Sequence, residues 1–176
     1  YSIKNLGAEI ADSIIEERKA NGKFKSFSDF LERIRHKNLN KKSLESLIKA
    51  GAMDELGERN QLLFNTEDAL AYNKEAAKSM QNQNSLFTLM KDNSTLSDLK
   101  LKETKPASQQ DKLLWEKELL GLYISGHPLD KFKDKVAKIK TKVGEAKKLD
   151  NKMPVVTVGM IEEVKKELPE EDVRPS

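Results

Sequence analysis

Apolar side chains along the first eighty residues recur at helical spacing and are interrupted by short polar breaks. In residues 8–20 they lie on one face with charges opposite, which predicts an amphipathic helix that Asn21 and Gly22 end. The apolar positions on that face are Ile10, Ala11, Ile14 and Ile15. The pattern therefore predicts a helical start to the chain.

Three further helical segments are predicted before residue 81. The first begins at Ser26 or Ser28 as N-cap, and its apolar stripe comprises Phe27, Phe30, Leu31 and Ile34. The second is capped by Asn40 and stopped at Gly51. The third is a longer helix over residues 58–80. Its predicted buried positions are Leu62, Leu63, Leu70 and Tyr72.

The second half of the chain has a weaker pattern. Residues 81–110 mix amides, Ser and Thr with scattered apolar residues, which predicts an extended linker or a long loop. Helical periodicity returns from residue 111 and is broken at Gly126 and Pro128. The apolar residues predicted to share a face of that helix are Leu114, Trp115, Leu119 and Leu122. Residues 153–166 are rich in β-branched side chains and predict a strand, although one strand cannot close a sheet.

A short motif occurs twice in the helical half. Residues Ile3, Leu6 and Gly7 of "IKNLG" have counterparts in "MDELG" at Met53, Leu56 and Gly57. Each copy leads into a predicted helix, so the repeat predicts two units of helix, tight Gly turn and helix. The first helix of the first unit would precede Tyr1, where the sequence starts without Met. We therefore expect the chain to be a piece of a longer polypeptide.

The first Gly turn is a candidate site for a DNA phosphate. The backbone N–H groups of such a turn and of the helix after it lack intrahelical partners and carry the positive end of the helix dipole. A glycine there would permit close approach and a positive φ. The residues predicted to contact DNA are Lys4, Asn5, Leu6, Gly7 and Ala8, with Lys23 and Lys25 extending the same rim. A plain helix–helix connection is the alternative, and the repeat leaves the two evenly weighted.

The second Gly turn carries the opposite charge. Asp54, Glu55 and Glu58 surround Gly57, so a phosphate there would meet carboxylates at close range. We therefore expect the first turn to contact DNA and the second mainly to complete the fold.

Composition narrows the class of protein without identifying a partner. Of the 176 residues 37% are hydrophobic and 35% charged, which predicts thin cores and much solvated helix surface. The net charge of +3 is too small to indicate a polyanion partner by itself. The absence of Cys excludes disulfides and thiolate chemistry, and no apolar run approaches the length of a membrane span. The sequence predicts a cytoplasmic protein without membrane contact.

Several segments together resemble the C-terminal third of the alpha subunit of bacterial DNA polymerase III, of the DnaE type. They are "FKSFSDFLERI", "LIKAGAMDELG" and "LLWEKELLGLYISGHPLDKF", and the resemblance covers about residues 1 to 165. It implies a mainly α fold with four parts. These are a tandem helix-hairpin-helix DNA-binding domain (1–80), a linker with a clamp-binding motif (81–110), a helical connector (111–150) and an incomplete start of an OB-like domain (151–176).

The resemblance also gives a role to "QNSLF", in which the apolar pair Leu86 and Phe87 lies within a polar stretch. Members of the family carry a pentapeptide at this place that binds the β sliding clamp, matched here by Gln83, Ser85, Leu86 and Phe87. Leu86 and Phe87 would contribute about 1.5 to 3 kcal/mol each if fully buried in clamp pockets. Packing of the two side chains onto the chain's own helices is the alternative. Double-stranded DNA and the clamp are thus the expected partners, within a larger replisome.

Catalytic chemistry is not expected in this segment. The carboxylates of "EERK" and "WEKE" alternate with lysine, a pattern typical of solvated pairs rather than of metal sites. The resemblance places the polymerase carboxylates upstream of Tyr1, so we expect no catalytic residue, metal or cofactor here, whereas the parent polymerase would use Mg²⁺. His127 is predicted to be structural, His36 to lie at the surface and Trp115 to anchor the core.

Two functional alternatives compete with the polymerase reading. The first is a repair or recombination accessory protein whose tandem hairpins grip DNA and whose peptide recruits it to the clamp. The second is a helical scaffold without a DNA role. The lysines of residues 131–148 are evenly balanced between a second DNA patch and a solvated helix face.

Overall fold

The computed structural model describes residues 3–83, 99–139, 143–146, 148, 154–161 and 164. They form two compact units, residues 1–127 and 128–176. The helices of the first unit are α1 (Ala8–Asn21), α2 (Phe27–Arg33), α3 (Lys41–Lys49), α4 (Arg59–Phe64), α5 (Thr66–Gln83) and α6 (Gln109–Leu120). The second unit has a 3-10 helix (Asp130–Phe132), α7 (Lys133–Ala137) and α8 (Val143–Ala146). The predicted mainly α fold is confirmed for the described residues.

Two predicted N-caps are confirmed by their hydrogen bonds. The Ser26 hydroxyl accepts from the Asp29 N–H at 3.1 Å, so Ser26 rather than Ser28 begins α2. The Asn40 side chain accepts from the Ser43 N–H at 3.1 Å, and the Ser43 hydroxyl accepts from the Asn40 N–H at 2.9 Å. This reciprocal capping box satisfies two donors at the start of α3.

The core of the first unit is formed by the apolar faces of α1 to α5. Its buried members include the predicted stripe of α2 and, from the later helices, Leu62 and Tyr72. Leu63 and Leu70, also predicted to be buried, lie at its edge and are partly exposed. Most of the predicted core is therefore confirmed.

The predicted long helix over 58–80 is interrupted at Asn65, which separates α4 from α5. The Asn65 amide donates to the carbonyls of Gln61 at 2.8 Å and Lys102 at 3.0 Å, and its oxygen accepts from the Lys102 N–H at 2.9 Å. A side chain that pairs with the backbone of a distant segment competes with helix continuation at its own position. The break therefore depends on a contact between residues that lie 37 positions apart.

Residues 99–108 pack on this break and do not behave as a linker. Leu99 and Leu101 pack against the core, and the carbonyl of Lys105 accepts from the Asn60 side chain at 2.8 Å. The Ala107 N–H donates to a carboxylate oxygen of Glu58 at 2.8 Å. The second part of the segment predicted over 81–110, which we call the strap (residues 99–108), is thus a packed loop without regular secondary structure rather than an extended linker.

The predicted apolar face of α6 is confirmed only at Leu119. Leu114 is 65% exposed and Leu122 is 53% exposed, whereas Leu113, Glu116 and Leu119 are buried at i, i+3 spacing. Trp115 is half-buried instead of anchoring the core. The helix therefore turns a face containing a carboxylate toward the rest of the first unit.

The second unit shows no strand among its described residues. Residues 154–161 have no regular secondary structure, and their apolar side chains are exposed. The described residues within 151–176 therefore do not show the predicted OB-like segment. The lysines described between 131 and 148 are exposed, and a DNA role for them stays a prediction. The two compact units divide after His127, and the domain bounds predicted at residues 80, 110 and 150 stay predictions.

Candidate nucleic-acid interface

The two Gly turns share their local geometry, as the repeat predicts. In the first, the Leu6 N–H donates to the Ile3 carbonyl at 3.4 Å, and in the second the Leu56 N–H donates to the Met53 carbonyl at 2.8 Å. In both turns the first and fourth residues pack into or against the same core. A helix follows each turn.

The positive φ of the first turn belongs to Asn5 and not to Gly7. Asn5 has a φ of 65°, whereas Gly7 has φ −67° and ψ 155°, which any residue can adopt. Asn tolerates the left-handed region better than most residues do. The expectation that Gly7 relieves a backbone restraint is therefore wrong. Its other predicted advantage remains, because a Cβ built on Gly7 meets no atom within 4 Å and the space beside it is open.

The N-terminus of α1 lies next to that open space. Gly7 is its N-cap and supplies no side-chain hydrogen bond to the first-turn N–H groups. Ala8, like Lys4, Asn5 and Gly7, is exposed, whereas Leu6 is half-buried. The Lys4 N–H is not available for a ligand, since it donates to the Leu119 carbonyl at 2.9 Å. The amides at the start of α1 are therefore the groups that an anion could reach here.

Lys23 and Lys25 do not extend the same rim. They follow the C-terminal end of α1, and a helix of 14 residues is about 21 Å long. The Lys23 ammonium lies 3.3 Å from the Glu55 carboxylate of the second turn. The structure thus separates the predicted DNA-contacting residues into two places, at opposite ends of α1.

Arg33 fixes the loop that carries these two lysines. Its guanidinium donates to the Gly22 carbonyl at 3.0 Å and to the Glu17 carboxylate at 2.9 Å, and lies 4.5 Å from the Phe24 ring centre. The hydrogen bond from Arg33 holds the pKa of Glu17 below its usual value. This is not the solvated i,i+4 pair expected for "EERK".

The second turn is closed to a phosphate. The Glu58 carboxylate caps α4, accepting from the N–H groups of Asn60 at 2.8 Å and Gln61 at 3.0 Å. A carboxylate already occupies the position that a phosphate would take at the start of this helix. Glu58 also holds the strap, so the second turn is joined to the fold on both sides.

A buried cluster of charges lies behind the second turn. Arg59 is 3% exposed and binds Asp54 through two bonds, from Nε at 2.8 Å and from Nη2 at 2.7 Å. Its Nη1 donates to the Lys49 carbonyl at 3.1 Å and lies 2.9 Å from Oε1 of Glu116, which is 0% exposed. Hydrogen bonds to Asp54 and then to Glu116 raise the pKa of Arg59 against the opposing effect of burial.

Glu116 stays ionised within this cluster. Burial raises the pKa of its carboxyl group, but the N–H groups of Ser125 and Ile124 and the Arg59 guanidinium outweigh burial and bring the pKa below its usual 4.5. Oε2 accepts from Ile124 at 2.7 Å and from Ser125 at 2.9 Å. The expectation of a solvated carboxylate in "WEKE" is therefore wrong for Glu116. The sequence signal that could have identified Glu116 is its position midway between the buried Leu113 and Leu119.

The predicted clamp-binding motif lies almost wholly outside the described residues. Gln83 is the last residue of α5, and Ser85, Leu86 and Phe87 are not described. Elsewhere, His127 is exposed and its ring stands edge-on to Tyr123, with ring centres 5.6 Å apart. Within the described ranges no three His, Asp or Glu side chains come together as a metal site, and no helix there is long and apolar enough to cross a membrane.

The chain is similar to a known motif family and to several named proteins. Residues 1–62 match the family described as "Helix-hairpin-helix motif". The chain is 42% identical over 134 residues to the DNA polymerase III subunit alpha of Borreliella burgdorferi, covering 74% of this chain and 12% of that protein. With the subunit of Thermus aquaticus it shares 35% identity over 167 residues, covering 93% and 13%. With that of Helicobacter pylori it shares 36% over 182 residues, covering 99% and 15%.

Proposed function

Because the chain belongs to the family of bacterial DNA polymerase III alpha subunits, of which it spans 12% to 15% in the three relatives compared, we propose that it is a non-catalytic part of such a subunit. It binds the backbone of duplex DNA through its first Gly turn and docks the β sliding clamp, which supports processive replication. The observation that carries the DNA-binding proposal is the exposed, uncapped start of α1 within the segment that matches a helix-hairpin-helix family.

The first turn suits a phosphate for electrostatic reasons. The first amides of α1 point out of the helix with the positive end of its dipole behind them, and Gly7 leaves room for a phosphate oxygen to approach. The exposed Lys4 ammonium adds a full positive charge beside them. None of these groups reads a base, so binding is independent of sequence.

Reversing the charge of Lys4 is expected to weaken DNA binding. With Lys4→Glu, the affinity for a random-sequence duplex should fall about tenfold at about 0.1 M salt, because one phosphate contact and its released counterion are lost. The slope of log K against log salt should flatten by about one. Fluorescence anisotropy across a salt series measures both quantities.

Lys42→Glu is the matched control for that experiment. Lys42 is exposed in the first turn of α3, at the opposite end of that helix from the second Gly turn, and its reversal changes net charge by the same amount. Equal loss of affinity in both variants would mean that the loss comes from the change in net charge alone, which would contradict a site at the first turn. No binding by the wild-type chain would instead favour a scaffold without a DNA role.

The clamp-docking proposal is supported by the family and by the match of "QNSLF" to its peptide. Replacing Leu86 and Phe87 together by Ala should abolish measurable binding to the cognate clamp by calorimetry. A loss of about 3 kcal/mol or more for two buried side chains weakens binding by at least about a hundredfold.

The neighbouring pair Leu89 and Met90 supplies the control for the clamp experiment. Leu89→Ala/Met90→Ala removes similar apolar area from the same stretch while leaving the motif intact, and its binding heat should match that of the wild type. If both double variants bind equally, the motif is not the docking element.

The activity of the longer protein is proposed from the same family membership. We propose that it is a cytoplasmic DNA-directed DNA polymerase, a nucleotidyltransferase that uses Mg²⁺ held by residues outside this segment. Modest affinity for clamp and DNA in one polypeptide suits this role, because two weak contacts on a common template raise the effective concentration of each. Other replisome subunits are further proposed partners.

A further inference from the structure

The helix α6 contacts both Gly turns through neighbouring residues on one face. Glu116 and Leu119 lie three positions apart, so they are about 4.5 Å apart along the helix axis, and both are buried. Leu119 faces the first turn, where its carbonyl accepts from the Lys4 N–H at 2.9 Å. Glu116 faces the second, where it pairs with Arg59 at 2.9 Å.

Each of these contacts uses a group that is costly to leave unpaired. The Leu119 carbonyl belongs to the last turn of α6, which has no intrahelical donor for it. The Glu116 carboxylate is fully buried and needs Arg59 and the two N–H groups that follow the helix. Gly121, with a φ of 77°, ends α6 so that the chain can fold back to bring Ile124 and Ser125 to Glu116.

Arg59 connects Glu116 of α6 to the second turn. Its guanidinium holds Asp54 within the turn and the Lys49 carbonyl at the end of α3. Gly51, with a φ of 81°, leaves the room that Arg59 occupies, because a Cβ there would collide with the guanidinium. The second turn and the end of α3 are therefore fixed to α6 through one side chain.

We propose that Glu116 is a positioning residue for DNA binding, which holds α6 so that the Leu119 carbonyl keeps the first turn in its phosphate-binding form. This inference rests on the proposed DNA-binding function. Glu116 does not touch DNA in this proposal. It acts through α6, and its effect is measurable at the Lys4 N–H.

Glu116→Gln tests this, because it removes the charge and retains the shape. At a temperature well below unfolding, the variant should bind random-sequence duplex about fivefold more weakly than the wild type. The Lys4 N–H should also exchange with solvent faster, by a factor larger than that of amides in α5. Both measurements are made on the full 176-residue chain.

Asn73→Ala separates positioning from general loss of stability. Asn73 is buried, and its amide donates to the carbonyls of Leu31 at 2.6 Å and Ile34 at 2.9 Å, so its loss destabilises the same unit at the end of α2 and not at either Gly turn. Unchanged DNA affinity in Asn73→Ala beside weakened affinity in Glu116→Gln is the expected result. Wild-type affinity in Glu116→Gln, or equal weakening in both variants, would overturn the proposal. If the wild-type chain itself does not bind DNA, it is the proposed function that fails.

Discussion

Replacing Arg59 by Met is expected to lower the free energy of unfolding of the first unit by about 3 to 5 kcal/mol. The methionine fills much of the same volume, but Glu116 is then a fully buried carboxylate that has lost its cation. Asp54 adds little to this cost, because it is half exposed and can be hydrated. Denaturant titration followed by circular dichroism, with linear extrapolation to water, measures the loss.

Two further variants determine whether the loss of stability comes from the buried Glu116 carboxylate that has lost its cation. Arg59→Met/Glu116→Leu removes both buried charges and should recover most of the lost stability, since buried ion pairs are often replaceable by apolar residues. Arg33→Met removes an arginine whose ion pair with Glu17 is partly open to solvent, and should cost less than Arg59→Met. A double variant less stable than Arg59→Met alone would contradict this account.

The pH dependence of the same variants follows from the pKa of Glu116. Its folded pKa lies below the usual 4.5, so the stability that it contributes is present above pH 4.5 and is lost as pH falls through the folded pKa. Arg59→Met removes one of the groups that offset the effect of burial, so the pKa of Glu116 rises. We therefore expect the unfolding free energy of Arg59→Met to depend less steeply on pH than that of the wild type in the acid range where Glu116 titrates. The contribution of Glu17, which is paired with Arg33, should persist.

Local signals in the sequence predicted the parts of the fold that depend on neighbours in the chain. The Asn40 cap, the α2 stripe and the repeated turn depend on residues within four positions of one another, and all three are present in the structure. The residues around Gly57 alone likewise predict an acidic second turn. The structure adds the reason that it is closed, since Glu58 itself caps the helix that follows.

The errors occur where a distant residue decides a local outcome. Charged residues on helices normally face solvent, so the sequence predicts a face of α6 that leaves out Glu116, whose burial depends on Arg59. Asn65 divides a helix because it pairs with Lys102, which no local pattern contains. Likewise, Asn5 rather than Gly7 takes the positive φ, because residue type alone does not say which turn position needs it.

Replacing Phe30 by Ala is expected to cost about 3 to 5 kcal/mol of unfolding free energy, because a large buried ring leaves a cavity that its neighbours fill only partly. Phe30 is 2% exposed and meets the Phe24 ring edge-on, with ring centres 5.1 Å apart. Phe24 also lies beneath the Arg33 guanidinium, so the cavity opens beside the loop that carries Lys23 and Lys25. Calorimetric or denaturant unfolding measures the loss.

Phe64→Ala is the matched control, since Phe64 is 64% exposed at the end of α4 and its removal should change stability by less than about 0.5 kcal/mol. Similar losses in both variants would mean that the assigned core is not where the apolar stabilisation lies. Phe30 lies in the apolar core, whereas Arg59 pairs with Glu116 and the end of α3, so the costs of Phe30→Ala and Arg59→Met should add within about 0.5 kcal/mol. The summed cost of about 6 to 10 kcal/mol falls within the usual stability range of a domain, about 5 to 15 kcal/mol, so the combined variant should be largely unfolded where the wild-type stability is at the low end of that range. Added urea would then produce no cooperative transition in it.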